Sequence, residues 1–205
     1  VFLLYNLLFP ILFVLYLPFY AVHLIQRGGL GWDFLQRLGI FGGRTASALR
    51  RLDRPLWIHA VSVGETVAAI SFIRRLQERS PDRDVVLSST TTTGHQMALK
   101  KAPAGVQCIY CPVDIWPCVR HALELIRPDM LIIFEVEIWP NLILQASARG
   151  IPVALVNGRM SDRSSRSYAR WRGVFKRLFG AIDVLCVQTP EDAERIQRVV
   201  GDEAD

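Results

Sequence analysis

The alternation of short apolar segments with helix-like segments from residue 56 onward limits the folds open to this chain more than any other feature. The predicted strands are Leu56–Val61, Asp84–Ser88, Val106–Tyr110, Met130–Phe134, Ile151–Val156 and Val184–Val187. The predicted helices are Glu65–Glu78, Gly94–Lys100, Ile115–Ile126, Trp139–Ala148, Ser164–Leu178 and Pro190–Val200. Each strand ends in small, polar residues, after which a helical period begins. This pattern predicts an α/β fold with a parallel sheet covered by helices on both faces.

The first 26 residues carry no Lys, Arg, Asp or Glu, and up to Val22 they are apolar apart from Asn6, Pro10 and Pro18. This uncharged length matches the thickness of a bilayer. A cleaved signal peptide is disfavoured because a basic start and a small-residue cleavage site are missing. We therefore expect a retained membrane anchor, with the basic residues from Arg27 onward on the cytoplasmic side. Each proline would interrupt a helix, so a monotopic insertion competes with a single span.

The stretch 27–55 predicts a basic linker with one short helix around Asp33–Leu38. The formal net charge of +5 is concentrated in this N-terminal part and in residues 159–187. Clustered positive charge favours local contact with an anionic surface over nucleic-acid binding. For the basic stretch Arg159–Arg177, a solvated helix face and contact with acidic lipid head groups are equally good interpretations.

Four cysteines allow a metal-site and a structural interpretation. Cys108, Cys111, Cys118 and His121 spell C-x2-C-x6-C-x2-H, whose residue types zinc accepts as ligands. The middle gap is short for a zinc ribbon, and Cys108 lies inside a predicted strand. We therefore expect buried, reduced thiols and no metal, and a cytoplasmic location disfavours disulfides.

Ligands of open α/β sheets bind outside the carboxyl ends of the strands. The polar residues predicted at this edge include Ser62, Gly64 and Glu65 after the first strand, Thr90–Thr93 after the second, Asp114 after the third, Glu135 and Glu137 after the fourth, and Asn157 and Arg159 after the fifth. Turn composition explains the small residues, so the charged side chains carry most of the information. The threonine hydroxyls and the helix amides that follow them could bind an anion or sugar hydroxyls. This segment lacks the Lys of a phosphate-binding loop, so the sequence does not indicate binding of a nucleoside triphosphate.

Glu65 allows two roles at the start of its helix. A carboxylate in the first turn caps free amides and interacts favourably with the helix dipole. Alternatively, Glu65 is a general base at the mouth of the sheet, where Gly64 lets a substrate approach the backbone. Position alone favours the capping role.

Glu135 and Glu137 are two residues apart at a strand end, so an extended backbone would point both side chains to the same side. Their repulsion predicts a raised pKa for one of them or a cationic partner. Arg159 is a candidate for that partner, or for a phosphate ligand. A structural ion-pair network is an equally good interpretation.

Five spaced motifs resemble the N-terminal half of 3-deoxy-D-manno-octulosonic acid (Kdo) transferases. They are His59-Ala-Val-Ser-Val-Gly-Glu65, Pro112-Val-Asp114, Glu135-Val-Glu-Ile-Trp-Pro-Asn141, Asn157-Gly-Arg-Met-Ser-Asp-Arg-Ser164 and Gln188-Thr-Pro-Glu-Asp-Ala-Glu194. The resemblance covers nearly the whole chain in the same order. It implies the Rossmann-like N-terminal domain of a GT-B glycosyltransferase, held at the cytoplasmic face of the bacterial inner membrane.

The resemblance further implies inverting transfer of Kdo from CMP-Kdo to a lipid A precursor in lipopolysaccharide core biosynthesis, with no metal at the reaction centre. It places Glu65 at the general-base position and Glu135 at a position that stabilises the transition state. No cofactor is expected. The residues that we assign to acceptor binding are Ser62, Gly64, Thr91, Thr92, Thr93, Glu137, Asn157 and Arg159.

A GT-B enzyme needs two Rossmann-like domains, and residues 56–205 supply one. We expect this domain to bind the acceptor, the donor domain to lie outside this chain, and these 205 residues alone to be inactive. Two departures from the family pattern, Gly158 and Cys111, lie away from the proposed chemistry. The alternatives are a membrane-tethered, non-catalytic binding module and a GT-B transferase that uses another nucleotide sugar.

Overall fold

All six predicted strands are present and form one sheet. The computed structural model describes residues 1–26 and 32–201. Its strands are β1 (Leu56–Ala60), β2 (Val85–Ser89), β3 (Gln107–Tyr110), β4 (Met130–Phe134), β5 (Val153–Gly158) and β6 (Val184–Val187). The helices after residue 56 are α3 (Val63–Arg79), α4 (Thr92–Lys101), α5 (Trp116–Ile126), α6 (Pro140–Ser147), α7 (Asp162–Arg170), α8 (Arg172–Phe179) and α9 (Pro190–Val200). They are preceded by α1 (Phe2–Gln26), a 3-10 helix (Trp32–Leu38) and α2 (Gly43–Arg51).

The sheet has the strand order β3-β2-β1-β4-β5-β6, and every pair of neighbours is parallel. Trp57 of β1 pairs with Val86 on one side and with Leu131 of β4 on the other. The order reverses between β1 and β4, so the connections after these two strands run in opposite directions. This Rossmann-like topology confirms the α/β prediction and creates a crevice at the carboxyl ends of β1 and β4.

Both faces of the sheet are buried, as near-continuous apolar strands require. On one face Trp57, Ile133 and Leu155 pack against helices α5, α6 and α9. On the other face Ile58 and Phe134 pack against α3 and α4. Alternate residues of each strand therefore enter opposite cores, which fixes the strand register.

The N-terminal helix α1 runs without a break through Pro10 and Pro18. The expectation that each proline interrupts a helix was wrong, because a proline removes one i→i−4 hydrogen bond and the other bonds of a long helix persist. Its segment Phe2–Phe19 has a mean hydropathy of 2.1 and none of it is buried, so length and composition allow it to cross a membrane. The predicted basic boundary at Arg27 lies outside the described residues.

In the described part of the predicted linker 27–55, the short helix expected around Asp33–Leu38 is present as the 3-10 helix. Helix α2 is an additional helix that the sequence did not predict. Helix α2 was missed because its sequence is rich in Arg and offers few apolar residues. Phe41 and Leu49 enter the core, and Gln36 accepts a hydrogen bond from the Tyr110 amide at 3.0 Å. This stretch therefore packs against the sheet domain.

Two other boundaries differ from the prediction. The predicted helix Ser164–Leu178 is divided into α7 and α8 at Trp171, whose φ of −113° and ψ of 35° are not helical. Strand β5 begins after Pro152, which has no amide to donate to the sheet, and continues to Gly158 through an irregular pairing with β6.

A pair of glycine substitutions tests the packing of the 3-10 helix against α5. Gly39 has φ +75°, and a Cβ there would lie 2.7 Å from the Cys118 carbonyl oxygen, whereas Gly105, with φ +85°, has no neighbour within 4 Å. Both Ala substitutions should cost roughly 1–2 kcal/mol for the left-handed backbone. Gly39→Ala should cost about 1–3 kcal/mol more because of the collision. Urea unfolding measures the difference, and equal costs would contradict this packing.

Candidate active site

The crevice between β1 and β4 brings together three carboxylates from distant parts of the chain. Glu65 lies in the first turn of α3 after β1, and Glu135 and Glu137 lie in the loop after β4. Burial raises the pKa of Glu135, and the Glu65 carboxylate raises it further. Burial, Glu65 and Glu135 together raise the pKa of Glu137 to about 7. The crevice therefore concentrates negative charge at a partly desolvated position.

Glu65 is tied to the turn that precedes its helix. Its two carboxylate oxygens accept hydrogen bonds from the Val61 and Ser62 amides at 2.8 and 3.1 Å. The Ser62 hydroxyl in turn accepts from the Glu65 amide at 3.3 Å, which completes a capping box. The capping role predicted for Glu65 is therefore confirmed. A carboxylate offers about four acceptor positions, so this pair of bonds leaves capacity for a substrate proton.

Thr91 holds the same turn from the neighbouring strand. Its hydroxyl donates to the Val61 carbonyl oxygen at 2.9 Å and accepts from the Gly94 amide at 3.1 Å as the N-cap of α4. Its only proton is therefore committed to the fold. Thr92 is half-buried and Thr93 is exposed in the first turn of α4, so these two residues are better placed to meet a ligand.

Gly64 leaves open space at the mouth of the crevice. A Cβ at this position would meet only the Ser62 hydroxyl, at 3.9 Å, and the backbone does not have a positive φ. The fold itself therefore accepts a side chain here. The use of this space by a ligand stays a prediction.

Glu135 does not continue the extended backbone of β4. Its φ is +60°, so the strand ends at Phe134 and the simple alternation predicted for Glu135 and Glu137 does not apply. The Glu135 amide still donates to the Val156 carbonyl oxygen of β5 at 2.9 Å. Asn157, at the end of β5, also has a positive φ of 57°. Two neighbouring strands thus end in conformations that are costly for residues other than glycine, as is common at functional sites.

Arg159 lies beside the acidic residues and lowers the pKa of Glu135, as the predicted cationic partner should. The side chain is exposed and lines a polar cavity of about 480 Å³ with Gln188, Thr189 and Arg195. The Gln188 amide nitrogen donates to the Asn157 side-chain oxygen at 3.2 Å. The lining also includes Asp162 and Asp192, which pair with Arg195, so the ends of β5 and β6 extend the candidate site with a polar, open rim of mixed charge.

Asp114 has a structural role that its sequence motif did not reveal. Its carboxylate is 1% exposed and accepts from the Asn141 and Leu142 amides, each at 2.9 Å, and from the Tyr5 hydroxyl at 2.8 Å. It therefore caps α6 and connects the loop after β3 to the loop after β4. The partners are far away in the sequence, so no local signal identified them.

Three aromatic side chains near the crevice were also missed. His59, at the end of β1, is fully buried and contacts the Trp139 ring edge-on, with ring centroids 5.8 Å apart. Burial lowers the pKa of His59 to about 4, so this side chain is neutral. Burial and then the nearby Glu137 raise the pKa of Tyr168. The sequence signal that could have identified His59 is a histidine within an apolar strand, shortly before the Ser-x-x-Glu sequence that starts α3.

The cysteines occupy separate elements. Cys108 and Cys118 are half-buried and Cys111 is buried, whereas Cys186 is exposed on the edge strand β6. Burial raises the pKa of the Cys108 thiol to about 11. Within residues 1–26 and 32–201, no group of three or more His, Cys, Asp or Glu side chains is arranged to hold a metal ion.

The topology and the acidic crevice define a Rossmann-like domain with a ligand site at its switch point. A family model described as 3-deoxy-D-manno-octulosonic-acid transferase (kdotransferase) matches residues 33–205. The chain therefore belongs to the Kdo transferase family and corresponds to its N-terminal half.

Curated relatives carry the same name. A Bordetella pertussis 3-deoxy-D-manno-octulosonic acid transferase is 34% identical over 83% of this chain and 40% of its own length. A Haemophilus influenzae protein of that name is 29% identical over 75% of this chain and 35% of its length. An Arabidopsis thaliana protein, "Probable 3-deoxy-D-manno-octulosonic acid transferase, mitochondrial", is 38% identical over 61% of this chain and 27% of its own length. The chain thus spans between 27% and 40% of the length of these relatives.

The raised pKa of Glu137 predicts a pH-dependent cost to folding. The unfolded carboxyl ionises near 4.5 and the folded one near 7, so the folded chain holds the proton more tightly and loses stability as the pH rises between these values. Glu137→Gln should therefore raise the free energy of unfolding at pH 8 by about 1 kcal/mol after solvent screening, and leave it nearly unchanged at pH 4, as thermal unfolding at the two pH values measures. Glu78→Gln, at an exposed position of α3, is the control. An equal effect at both pH values would contradict the acidic cluster.

Proposed function

We propose that this chain is the acceptor-binding half of an inverting glycosyltransferase that moves Kdo from CMP-Kdo to a lipid A precursor. The observation that carries the proposal is the convergence of Glu65, Glu135 and Glu137 at the crevice between β1 and β4. Membership of the Kdo transferase family supports the sugar and the reaction class. The closed capping box supports a fixed position for Glu65.

In the proposed reaction, Glu65 takes the proton of an acceptor hydroxyl. The acceptor oxygen then forms a bond to the anomeric carbon of Kdo, while the bond from that carbon to the phosphate oxygen of CMP breaks and CMP leaves with the electron pair. Attack opposite to the leaving group inverts the anomeric carbon. Gly64 is exposed and precedes the buried Glu65, so it leaves room for an acceptor next to this turn.

The other charged residues divide between the transition state and the acceptor. A sugar transition state carries positive charge at the anomeric carbon, which the Glu135 carboxylate stabilises. Arg159 on the rim binds an acceptor phosphate, since guanidinium groups suit phosphate geometry. We assign acceptor-sugar contacts to Ser62, Glu137, Asn157, the half-buried Thr92 and the exposed Thr93. Thr91 contributes through the turn that it holds.

The rest of the enzyme lies outside this domain. We assign the CMP-Kdo site mainly to a second, donor-binding domain, as in GT-B transferases, and expect the present chain alone to be inactive. The coverage of 27–40% of the relatives' length supports this division. The apolar helix α1 and the basic residues of α7 and α8 hold the enzyme at the cytoplasmic face of the bacterial inner membrane, where a lipid acceptor resides.

The alternative function is a membrane-tethered, non-catalytic binding module. It is favoured by one observation, namely that both oxygens of Glu65 already accept backbone hydrogen bonds, as a purely structural residue would. The two functions differ in whether the full-length protein transfers Kdo at all.

Two substitutions of Glu65 in the full-length protein separate its roles. Glu65→Gln removes the base and keeps one of the two acceptor oxygens, because its amide nitrogen cannot accept from a backbone amide. We expect kcat to fall by about 10²–10⁴ with acceptor affinity retained, and the free energy of unfolding to fall by about 1 kcal/mol for the lost hydrogen bond. Glu65→Ala should also lower the free energy of unfolding by about 1–2 kcal/mol. Transfer assays and thermal unfolding measure these effects. Unchanged turnover by Glu65→Gln would remove the proposed base. Absence of transfer by the unsubstituted full-length protein would favour the binding module.

A further inference from the structure

The first turns of α1 are joined to the sheet domain by two side-chain hydrogen bonds. The Tyr5 hydroxyl donates to the Asp114 carboxylate at 2.8 Å, and the Asn141 amide nitrogen donates to the Asn6 side-chain oxygen at 2.8 Å. Asp114 and Asn141 are 1% and 5% exposed, so their positions are fixed by the core. We call these two bonds the α1 latch.

The chain after α1 returns to the same edge of the sheet. Gln36 accepts from the Tyr110 amide at the end of β3, and the Val113 amide donates to the Arg37 carbonyl oxygen at 2.6 Å. Val113 is adjacent to Asp114. Both ends of α1 are therefore tethered to the loop that follows β3.

Chain length then limits where α1 can lie. From Asn6 to Gln26 the helix is about 30 Å long, which equals the hydrocarbon thickness of a bilayer. The chain from Gln26 to Trp32 reaches at most about 22 Å when fully extended. If α1 crossed the bilayer, Gln26 would lie on the side opposite to the sheet domain. The segment that follows would then have to return through the hydrocarbon to reach the domain, with unpaired backbone groups, which is prohibitively costly.

We propose that α1 lies submerged in the plane of one membrane leaflet, with both ends on the side of the sheet domain, and that the α1 latch holds it there. One leaflet offers about 15 Å of hydrocarbon, which accommodates a helix about 10–12 Å wide. The inference rests on the proposed membrane location. It selects the monotopic arrangement over the single span.

The exposed surface of α1 fits the acyl chains of a lipid bilayer as its partner. Leu3 and Phe19 are 88% and 73% exposed, and the helix is apolar on every face. At its first turn, the Arg177 guanidinium lies 5.2 Å from the Phe2 ring, and Trp171 is 60% exposed beside it. Arg and Trp are the residues expected at head-group level, which places this end of α1 at the membrane surface.

The latch also orients the crevice. Asn141 lies in the first turn of α6, directly after the loop that carries Glu135 and Glu137. A helix fixed to Asn141 and embedded in the leaflet keeps this loop at the membrane surface. The carboxylates then face a lipid-borne acceptor without a large movement of either partner.

The test is the membrane topology of the full-length protein. A protease-cleavable epitope is joined ahead of Val1 and, in a second version, inserted at the exposed residue Asp82 as a marker of the domain side. In inverted membrane vesicles and in spheroplasts, both epitopes should be cut from the same face. Cleavage of the Val1 epitope only from the face opposite to Asp82 would overturn the inference. So would recovery of the protein in the soluble fraction.

A variant that lacks the α1 latch provides a second test by its membrane topology, with a matched control. Tyr5→Phe combined with Asn6→Leu removes both bonds and keeps α1 apolar, so the freed N-terminus should cross the bilayer in a measurable fraction of molecules. Tyr16→Phe makes the same chemical change at an exposed position of α1 and should leave the topology unchanged. Unchanged topology in the double variant would contradict the latch. These readouts do not involve sugar transfer, so they fail independently of the proposed catalysis.

Discussion

The reversal of strand order between β1 and β4 is the constraint on which the rest of the structure depends. Because all strands are parallel, every strand delivers its following loop to one edge, and the reversal opens a crevice there. Desolvation in this crevice and repulsion among three carboxylates raise the pKa of Glu137 to about 7. The topology thus places a carboxyl group whose pKa is raised toward neutrality at the carboxyl edge of the sheet, which is typical of functional sites.

The turn between β1 and α3 holds Glu65 in a fixed position at the crevice. Glu65 accepts from the Val61 and Ser62 amides, and Thr91 donates to the Val61 carbonyl oxygen from the next strand. The same carboxylate therefore stabilises the helix start, directly after the exposed Gly64. A capping role and the proposed catalytic role do not exclude each other in this residue, because the capping bonds use only part of its acceptor capacity.

The sequence was most informative where the signal is local. All six strands followed from hydrophobic periodicity, and the capping role of Glu65 followed from its position in the first turn of a helix. Helix α2 was missed because tertiary burial of Leu49, and not its own pattern, stabilises it. The positive φ of Glu135 and the bond between Tyr5 and Asp114 depend on distant parts of the chain, so no local pattern encodes them.

The most direct test of the central claim is calorimetric titration of residues 1–205 in detergent with a lipid A precursor and, separately, with CMP-Kdo. The claim that this domain provides the acceptor site of a Kdo transferase predicts binding of the lipid with little or no binding of the nucleotide sugar. Absence of lipid binding, or binding of CMP-Kdo alone, would contradict it.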